Sequence, residues 1–134
     1  MIAYPMDIIG TGLDATEIDR VEEMITRYGD RFVARIFTEG EIAYCRRKRS
    51  SAESFAARFA AKEAAMKALG TGHTQGVLWK SVEVVRGAGG PPQLRFHGGA
   101  LRRFQLMGGT RTLLTLTHSG PLKLALAHVL LIKD

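Results

Sequence analysis

The stretch from Ser54 to Gly72, SFAARFAAKEAAMKALGTG, constrains the fold more than any other part of the sequence. On a helix that turns by about 100° per residue, bulky side chains that include Phe55 and Met66 form one stripe, and alanines form the opposite stripe. Small side chains let another element approach closely, while bulky ones fill a core. The sequence therefore predicts a long helix that is buried on both faces.

Four charged residues lie on this helix, namely Arg58, Lys62, Glu63 and Lys67. Burying a charge is costly unless the charge is paired or meets a ligand. One interpretation is an exposed flank on which Glu63 and Lys67, spaced i,i+4, form a salt bridge. The other is a polyanion site, in which the cations hold phosphates and the carboxylate holds a metal. Spacing alone leaves both open.

Length and composition predict a single domain over residues 1–134, with a hydrophobic share of 46% that is typical of a globular protein. No apolar run is long enough to cross a bilayer, and the N-terminus lacks the pattern of a secretory leader. We therefore expect a cytoplasmic protein with no membrane contact. The one cysteine, Cys45, is expected to be a free buried thiol.

The net charge of +6 predicts an anionic partner, which is a nucleic acid, a phosphorylated small molecule or an acidic protein. A nucleic-acid-binding module without catalysis would explain this charge and the RRKR run at 46–49. However, this basic run lacks the interleaved aromatic residues that stack on bases, so we expect no nucleic-acid partner. A purely structural oligomer would explain the buried helix but would leave Glu63 and Lys62 without a purpose.

The first segment, MDIIGTGLD, is a predicted strand on which Gly10, Gly12 and Asp14 share one face. The two glycines leave room for another element or a ligand to approach the backbone. Asp14 ends this predicted strand, where it either caps the following helix or binds a hard cation such as Mg²⁺.

The predicted helix over residues 15–28 carries Arg20, Met24 and Arg27 on its outer side. Arginine and methionine together are typical of protein-docking surfaces, although a solvated face explains them too. Two predicted capping boxes follow, Thr38 with Glu41 and Ser50 with Glu53, and each begins a helix.

Glycines close the central helix at Gly70, Thr71 and Gly72, where the backbone N–H groups are either free for a phosphate or used in a C-cap. Two strands, a short helix and a final hairpin over residues 111–134 complete the prediction. His118, at a strand end in this hairpin, is either a turn residue or a contact to a phosphate.

Four blocks resemble the holo-[acyl-carrier-protein] synthases, the small bacterial class of 4′-phosphopantetheinyl transferases. They are GTGLDATEIDR at 10–20, RFVARIFTEGEIAYC at 31–45, RFAAKEAAMKALGTG at 58–72 and LTLTHS at 114–119. The resemblance covers almost the full chain. It implies an α+β fold with a central long helix packed on a small, mostly antiparallel sheet, and a homotrimer with sites between subunits. After LTLTHS the turn SGPLK is longer than in the family, and Leu124 replaces a common aromatic residue.

The resemblance also implies the reaction. Coenzyme A is the substrate, the 4′-phosphopantetheine group passes to a serine of apo acyl carrier protein, and 3′,5′-ADP leaves, in the service of fatty acid biosynthesis. Asp14 and Glu63 would hold Mg²⁺, and Glu63 is also a candidate to accept the serine proton. The carrier protein would dock on the Arg20, Met24 and Arg27 surface.

Further site residues follow from the same resemblance. Lys67 is expected to neutralise charge that appears in the transition state, and Lys62 to hold a phosphate in the ground state, because the two point about 140° apart on the helix. The other predicted coenzyme A contacts are Arg58, Gly70, Thr71, Gly72 and His118.

Overall fold

The structure is a computed structural model that describes residues 5–134. Its elements, in chain order, are β1 (Asp7–Glu17), α1 (Ile18–Tyr28), α2 (Asp30–Ile36), α3 (Glu39–Arg46), α4 (Ser51–Leu69), β2 (Val82–Arg86), β3 (Pro92–Phe96), α5 (Gly98–Leu106), β4 (Arg111–Ser119) and β5 (Leu124–Lys133). A 3₁₀ turn at Trp79–Ser81 precedes β2. The single domain over residues 1–134 stays a prediction, and its first four residues lie outside the described range.

The strands form two antiparallel sheets. The larger has the order β1-β5-β4, and the smaller is the β2-β3 hairpin. As predicted, β4 and β5 form a hairpin, which closes where Ser119 pairs with Leu124. With five helices along the described chain, this arrangement confirms the predicted α+β class.

The central helix α4 packs directly on the larger sheet through its small side chains. A Cβ atom added at Gly12 would overlap the backbone carbonyl of Ala64, and one at Gly10 would overlap that of Ala68. The glycines of β1 and the alanines of α4 therefore bring the two backbones together. The predicted close approach to β1 is confirmed, and the approaching group is α4.

Both faces of α4 are buried, as the two stripes predict. Ala61, Ala64 and Ala68 face the sheet, while Phe55 and Met66 fill the space on the other side. The first half of α4 closes a cluster with α1, α2 and α3, and the second half closes one with β2, β3 and α5. Because both halves of α4 are packed into hydrophobic clusters, a charged side chain on α4 is either enclosed in a cluster or directed to the side of the helix.

Two capping predictions are wrong. Strand β1 continues to Glu17, so α1 begins at Ile18 and Asp14 caps nothing. Ser50 makes no side-chain cap hydrogen bond, and Glu53 instead approaches His118. The Thr38–Glu41 capping box at the start of α3 is confirmed. In both wrong cases a tertiary partner outweighs the local cap.

The thiol of Cys45 is free and fully buried, as expected. Burial raises its pKa to about 11. Among the helices that the structure describes, none is both long and apolar enough to span a membrane.

Candidate active site beside the central helix

A groove of about 940 Å³ runs along one flank of α4. Its walls are the end of β1, the outer sides of α1 and α2, and residues of α4 that point away from the sheet. The lining residues that carry charge are Asp14, Glu17, Arg20, Arg31, Arg35, Glu63 and Lys67. The fold therefore joins the predicted metal pair with part of the predicted docking surface, although these residues are distant in sequence.

Asp14 lies at the head of this groove in a mostly buried position. One carboxylate oxygen, Oδ2, accepts a hydrogen bond from the hydroxyl of Thr16 at 2.8 Å. The other, Oδ1, accepts one from the ammonium of Lys67 at 3.1 Å, and Lys67 also donates to the carbonyl of Leu13 at 3.0 Å. Lys67 therefore pairs with Asp14 across two elements, and not with Glu63 along the helix.

Glu63 forms no hydrogen bond or ion pair with any residue that the structure describes. Burial raises the pKa of its carboxyl group, and the nearby carboxylate of Asp14 raises it further, while His73 and Lys67 act in the opposite direction. Two carboxylates close enough to repel each other, one of them without a partner, favour a bound cation.

This donor set fits Mg²⁺. The described residues contain no cluster of three or more metal-binding side chains, so the chain offers a pair of carboxylates only. Mg²⁺ typically takes one or two protein carboxylates and completes its shell with water and substrate phosphate oxygens. Asp14 and Glu63 match that requirement.

An aromatic wall closes the groove beside Glu63. The rings of Phe59 and Trp79 stack with centroids 5.0 Å apart, and His73 meets Trp79 edge-on at 4.3 Å. Sequence reasoning missed this wall, because the alternating pattern of VLWKSVEVV at 77–85 predicts a strand through Trp79, whereas Trp79 lies in a 3₁₀ turn. His73 follows the glycines after α4, and only the folded chain returns it to Glu63.

Lys62, the neighbour of Glu63, is fully buried. Its ammonium contacts Oε1 of Glu41 at 2.7 Å and donates to the carbonyls of Trp79, at 3.1 Å, and Val82. An ammonium has three donors, so none is left for a phosphate. The predicted phosphate contact of Lys62 is therefore wrong in this structure, because α3 and β2 enclose the side chain.

The model of the 4′-phosphopantetheinyl transferase superfamily matches residues 10–117, which is most of the chain and includes the whole groove. The chain belongs to this superfamily. The match begins at the glycines of β1 and extends through α4 to β4, so the elements that carry Asp14, Glu63 and Lys67 are all within it.

Named relatives cover nearly all of the chain. A holo-[acyl-carrier-protein] synthase of Solibacter usitatus is 49% identical over 92% of this chain and 98% of its own length. One from Koribacter versatilis is 52% identical over 84% of this chain and 90% of its own length. A Bacillus anthracis holo-(acyl-carrier-protein) synthase structure in complex with CoA (3′,5′-ADP) superposes with a TM-score of 0.76, at 33% identity over 97% of this chain and 100% of that one.

Arg58, which the sequence predicts as a phosphate contact, lies outside the groove. It is only 4% exposed, its guanidinium stacks on the ring of Tyr44 at 3.9 Å, and its buried Nε has no hydrogen-bond partner. Lys48 lies over the same ring at 4.8 Å, and Arg86 donates to the Tyr44 hydroxyl at 3.3 Å. A buried guanidinium without an anionic partner suits an anionic ligand.

His118 lies at the other end of α4 from the glycines. Its Nδ1 is 3.0 Å from Oε2 of Glu53, beside a second groove of about 540 Å³. Neither His118 nor Arg58 lines the groove of Asp14 and Glu63. Within one chain, the predicted coenzyme A contacts are therefore not assembled into one site.

The turn at Gly70–Gly72 is a C-cap in this structure. Gly70 has φ 73°, and the N–H groups of Gly70 and Thr71 both donate to the carbonyl of Met66. The hydroxyl of the buried Thr71 donates to the carbonyl of Gly72. Of the two alternatives that the sequence left open, the C-cap forms at Gly70 and Thr71, so their N–H groups are not free for a phosphate.

Proposed function

We infer that this chain is a holo-[acyl-carrier-protein] synthase, which transfers the 4′-phosphopantetheine group of coenzyme A to a serine of apo acyl carrier protein and releases 3′,5′-ADP. The observation that carries this inference is the joining of Asp14, Glu63 and Lys67 at one groove within the superfamily match. Relatives at about half identity share this name, and a solved relative binds CoA.

Asp14 and Glu63 would hold Mg²⁺ together with the coenzyme A pyrophosphate. When bound, Mg²⁺ supplies Lewis-acid polarisation of the phosphoryl oxygens and neutralises their charge. The unpartnered carboxylate of Glu63 and its raised pKa support this proposal.

The chain's own residues would perform the remaining tasks. Phosphoryl transfer requires positioning and charge neutralisation more than covalent chemistry. Lys67 would stabilise charge on the leaving phosphate, because its side chain is 55% exposed and its ammonium already lies next to Asp14. Glu63 is the candidate acceptor for the serine proton.

Arg58, His118 and, beyond the C-terminal end of α4, Gly72 would hold other phosphate groups of coenzyme A. The orphaned Nε of Arg58 supports its part of this assignment. Since these residues lie apart from the groove within one chain, a site shared between subunits would bring them to the same ligand.

A homotrimer is the assembly that we propose. The face of the larger sheet opposite α4 is open, and it presents exposed leucines such as Leu13, which is 61% exposed, and Leu113. His128 lies between them on β5, 3.3 Å from the hydroxyl of Thr11. An open, partly apolar sheet face supports subunit contact. A cytoplasmic location and a role in fatty acid biosynthesis complete the proposal.

The carrier protein would dock on Arg20, Met24 and Arg27 of α1. Arg20 and Met24 line the groove, and Arg27 is exposed beyond them with its guanidinium over the ring of Tyr28 at 5.7 Å. The arginines of α2 at positions 31 and 35 extend the same basic wall. An acidic carrier protein would be attracted to this surface before docking.

The deciding experiment incubates the protein with Mg²⁺, coenzyme A and an apo acyl carrier protein, and follows the carrier by mass spectrometry. We expect a gain of one phosphopantetheine and stoichiometric release of 3′,5′-ADP. A carrier in which the acceptor serine is changed to alanine is the control. No mass gain with several bacterial carriers would refute the proposed function.

Arg20→Glu tests the carrier surface separately. It should lower kcat/KM for the carrier protein by roughly tenfold or more, because it reverses a steering charge, with little change in the KM of coenzyme A. The matched control is Arg95→Glu, on β3 outside the groove. Equal losses for both substrates would instead place Arg20 in the nucleotide site.

A further inference from the structure

The buried Glu41–Lys62 pair joins three parts of the fold. Glu41 and Lys62 are 1% and 0% exposed, and their side chains contact each other at 2.7 Å. Glu41 also accepts hydrogen bonds from the backbone N–H groups of Thr38 and Val84, each at 2.9 Å. Lys62 donates to the carbonyl of Trp79, in the 3₁₀ turn, and to that of Val82, the first residue of β2, so every polar group of the pair has a partner.

Two of these connections reach the groove. Lys62 holds the carbonyl of Trp79, whose ring stacks on Phe59 and lines the groove. Lys62 is also the residue before Glu63 on α4, so a fixed Lys62 side chain fixes the rotation of the helix about its axis and hence the direction of Glu63. The pair thus acts on the aromatic wall and on the metal-binding carboxylate at once.

We propose that Glu41 and Lys62 are positioning residues for phosphopantetheinyl transfer, which hold Trp79 and Glu63 at the groove through a buried, fully hydrogen-bonded ion pair. This proposal rests on the proposed function. It replaces the phosphate contact that the sequence predicts for Lys62. Stability alone is a weak reason to bury such a pair, because well-packed uncharged residues serve a core equally well.

The test separates positioning from stability by comparing two variants. Lys62→Met leaves the Glu41 carboxylate buried without its cation, so its Tm should fall. Lys62→Met combined with Glu41→Gln removes both charges and keeps an acceptor for a backbone N–H group, so most of the Tm should return. Neither variant can hold the carbonyls of Trp79 and Val82.

Trp79 reports on its own position, because it is the only tryptophan in the chain. In the double variant we expect red-shifted emission, stronger acrylamide quenching and a kcat about tenfold lower, with a smaller change in the KM of coenzyme A. Lys80→Met, an exposed change beside Trp79, is the matched control and should leave all of these values unchanged. Circular dichroism confirms folding at the assay temperature.

Two results would overturn the proposal. A double variant with wild-type kcat and wild-type emission would show that the pair only stabilises the fold. Lys62→Met with wild-type emission and a raised KM for coenzyme A alone would make Lys62 a phosphate ligand. If a charge variant does not fold, Phe59→Leu loosens Trp79 from the other side and should give the same red shift and loss of kcat.

The emission spectra do not depend on activity, so this test remains separate from that of the proposed function. An inactive wild type with the expected spectral shifts would refute the transferase assignment and leave the buried connection to Trp79 in place. An active wild type, together with a double variant whose kcat and emission spectrum are unchanged, would support the transferase assignment and refute the positioning role of Glu41 and Lys62.

Discussion

The two flanks of α4 differ in whether their charged side chains have partners. On one flank Lys62 is enclosed, and all of its donors are used by Glu41 and two carbonyls. On the other flank, one residue later, Glu63 faces a groove with a second carboxylate nearby and no partner among the described residues. Satisfied charges hold a fold in one arrangement, whereas an unsatisfied one at a groove marks the place where a ligand completes the structure.

The largest expected effect is on the unsatisfied flank. Asp14→Ala and Glu63→Ala should each lower kcat/KM by about 10³-fold, because each removes a carboxylate that we propose as a ligand of Mg²⁺. The free energy of unfolding of Glu63→Ala should stay equal or rise, since the repulsion from Asp14 disappears. Transfer kinetics and thermal unfolding measure the two effects.

The matched control for that experiment is Glu39→Ala, an exposed carboxylate on α3 away from the groove. EDTA should abolish wild-type transfer, and added Mg²⁺ should restore it. Full activity in EDTA would contradict the proposed metal site. Unfolding of Glu63→Ala together with loss of activity would show that Glu63, like Lys62, stabilises the fold.

On the satisfied flank, Lys62→Met should lower the free energy of unfolding by about 3–5 kcal/mol, because it leaves Glu41 buried without its cation. Urea denaturation at neutral pH measures this loss. Burial lowers the pKa of Lys62, although Glu41 opposes that shift, so the pair depends on its close contact. A change no larger than that of the exposed Lys80→Met would show that the pair contributes little to stability.

Lys67 is intermediate between the enclosed Lys62 and the unpartnered Glu63, because its side chain is half exposed and forms an ion pair with Asp14. Lys67→Met should lower kcat and kcat/KM together by about 10²-fold, as expected for charge stabilised mainly in the transition state. The free energy of unfolding should fall by less than for Lys62→Met, since the Lys67 side of this ion pair is half exposed to water. A rise in the KM of coenzyme A at constant kcat would assign Lys67 to ground-state binding.

The smallest expected effect concerns Glu83, which lies close enough to Lys62 to oppose the lowering of that lysine's pKa by burial. Burial alone would raise its pKa, but hydrogen bonds from His97 and Thr38 outweigh burial and lower the pKa below the ordinary 4.5. A carboxylate with a lowered folded-state pKa stabilises the protein above its unfolded pKa, and this contribution is lost as the pH falls through the folded pKa.

The Glu83 contribution is therefore present at neutral pH and is lost below about pH 4.5. The unfolding free energies of wild type and Glu83→Gln should differ at neutral pH and converge in acid. Urea titrations at several pH values test this, with Glu39→Gln as the exposed control. A difference that persists unchanged into strong acid would contradict the role of ionised Glu83.

Much of the fold could be predicted from periodicity. The stripes of α4 anticipated burial on both faces, and the glycines of β1 anticipated the close approach of another element. Short-range capping was less reliable. Asp14 and Ser50 are good N-cap residues, but β1 runs past Asp14, and no cap bond forms at Ser50. Pairing with a neighbouring strand satisfies more backbone groups than one cap does.

The candidate site was predictable only in part. Asp14, Glu63 and Lys67 followed from the resemblance, and the fold does bring them together. The aromatic wall of Phe59 and Trp79 was missed, because those residues are 20 positions apart and meet only through the return of the chain after α4. No local pattern predicts a contact between segments joined by an irregular loop.

The sequence by itself determined the family, the long helix with one bulky and one small face, and the carboxylates that the reaction would require. The tertiary structure decided which charged residue of that helix faces the candidate site and which one forms a buried ion pair. Lys62 and Glu63 are neighbours with equally polar side chains, but about 100° of rotation aims one at α3 and β2 and the other at the groove. Enclosure and available partners, which exist only in the folded chain, assign the role of a charge.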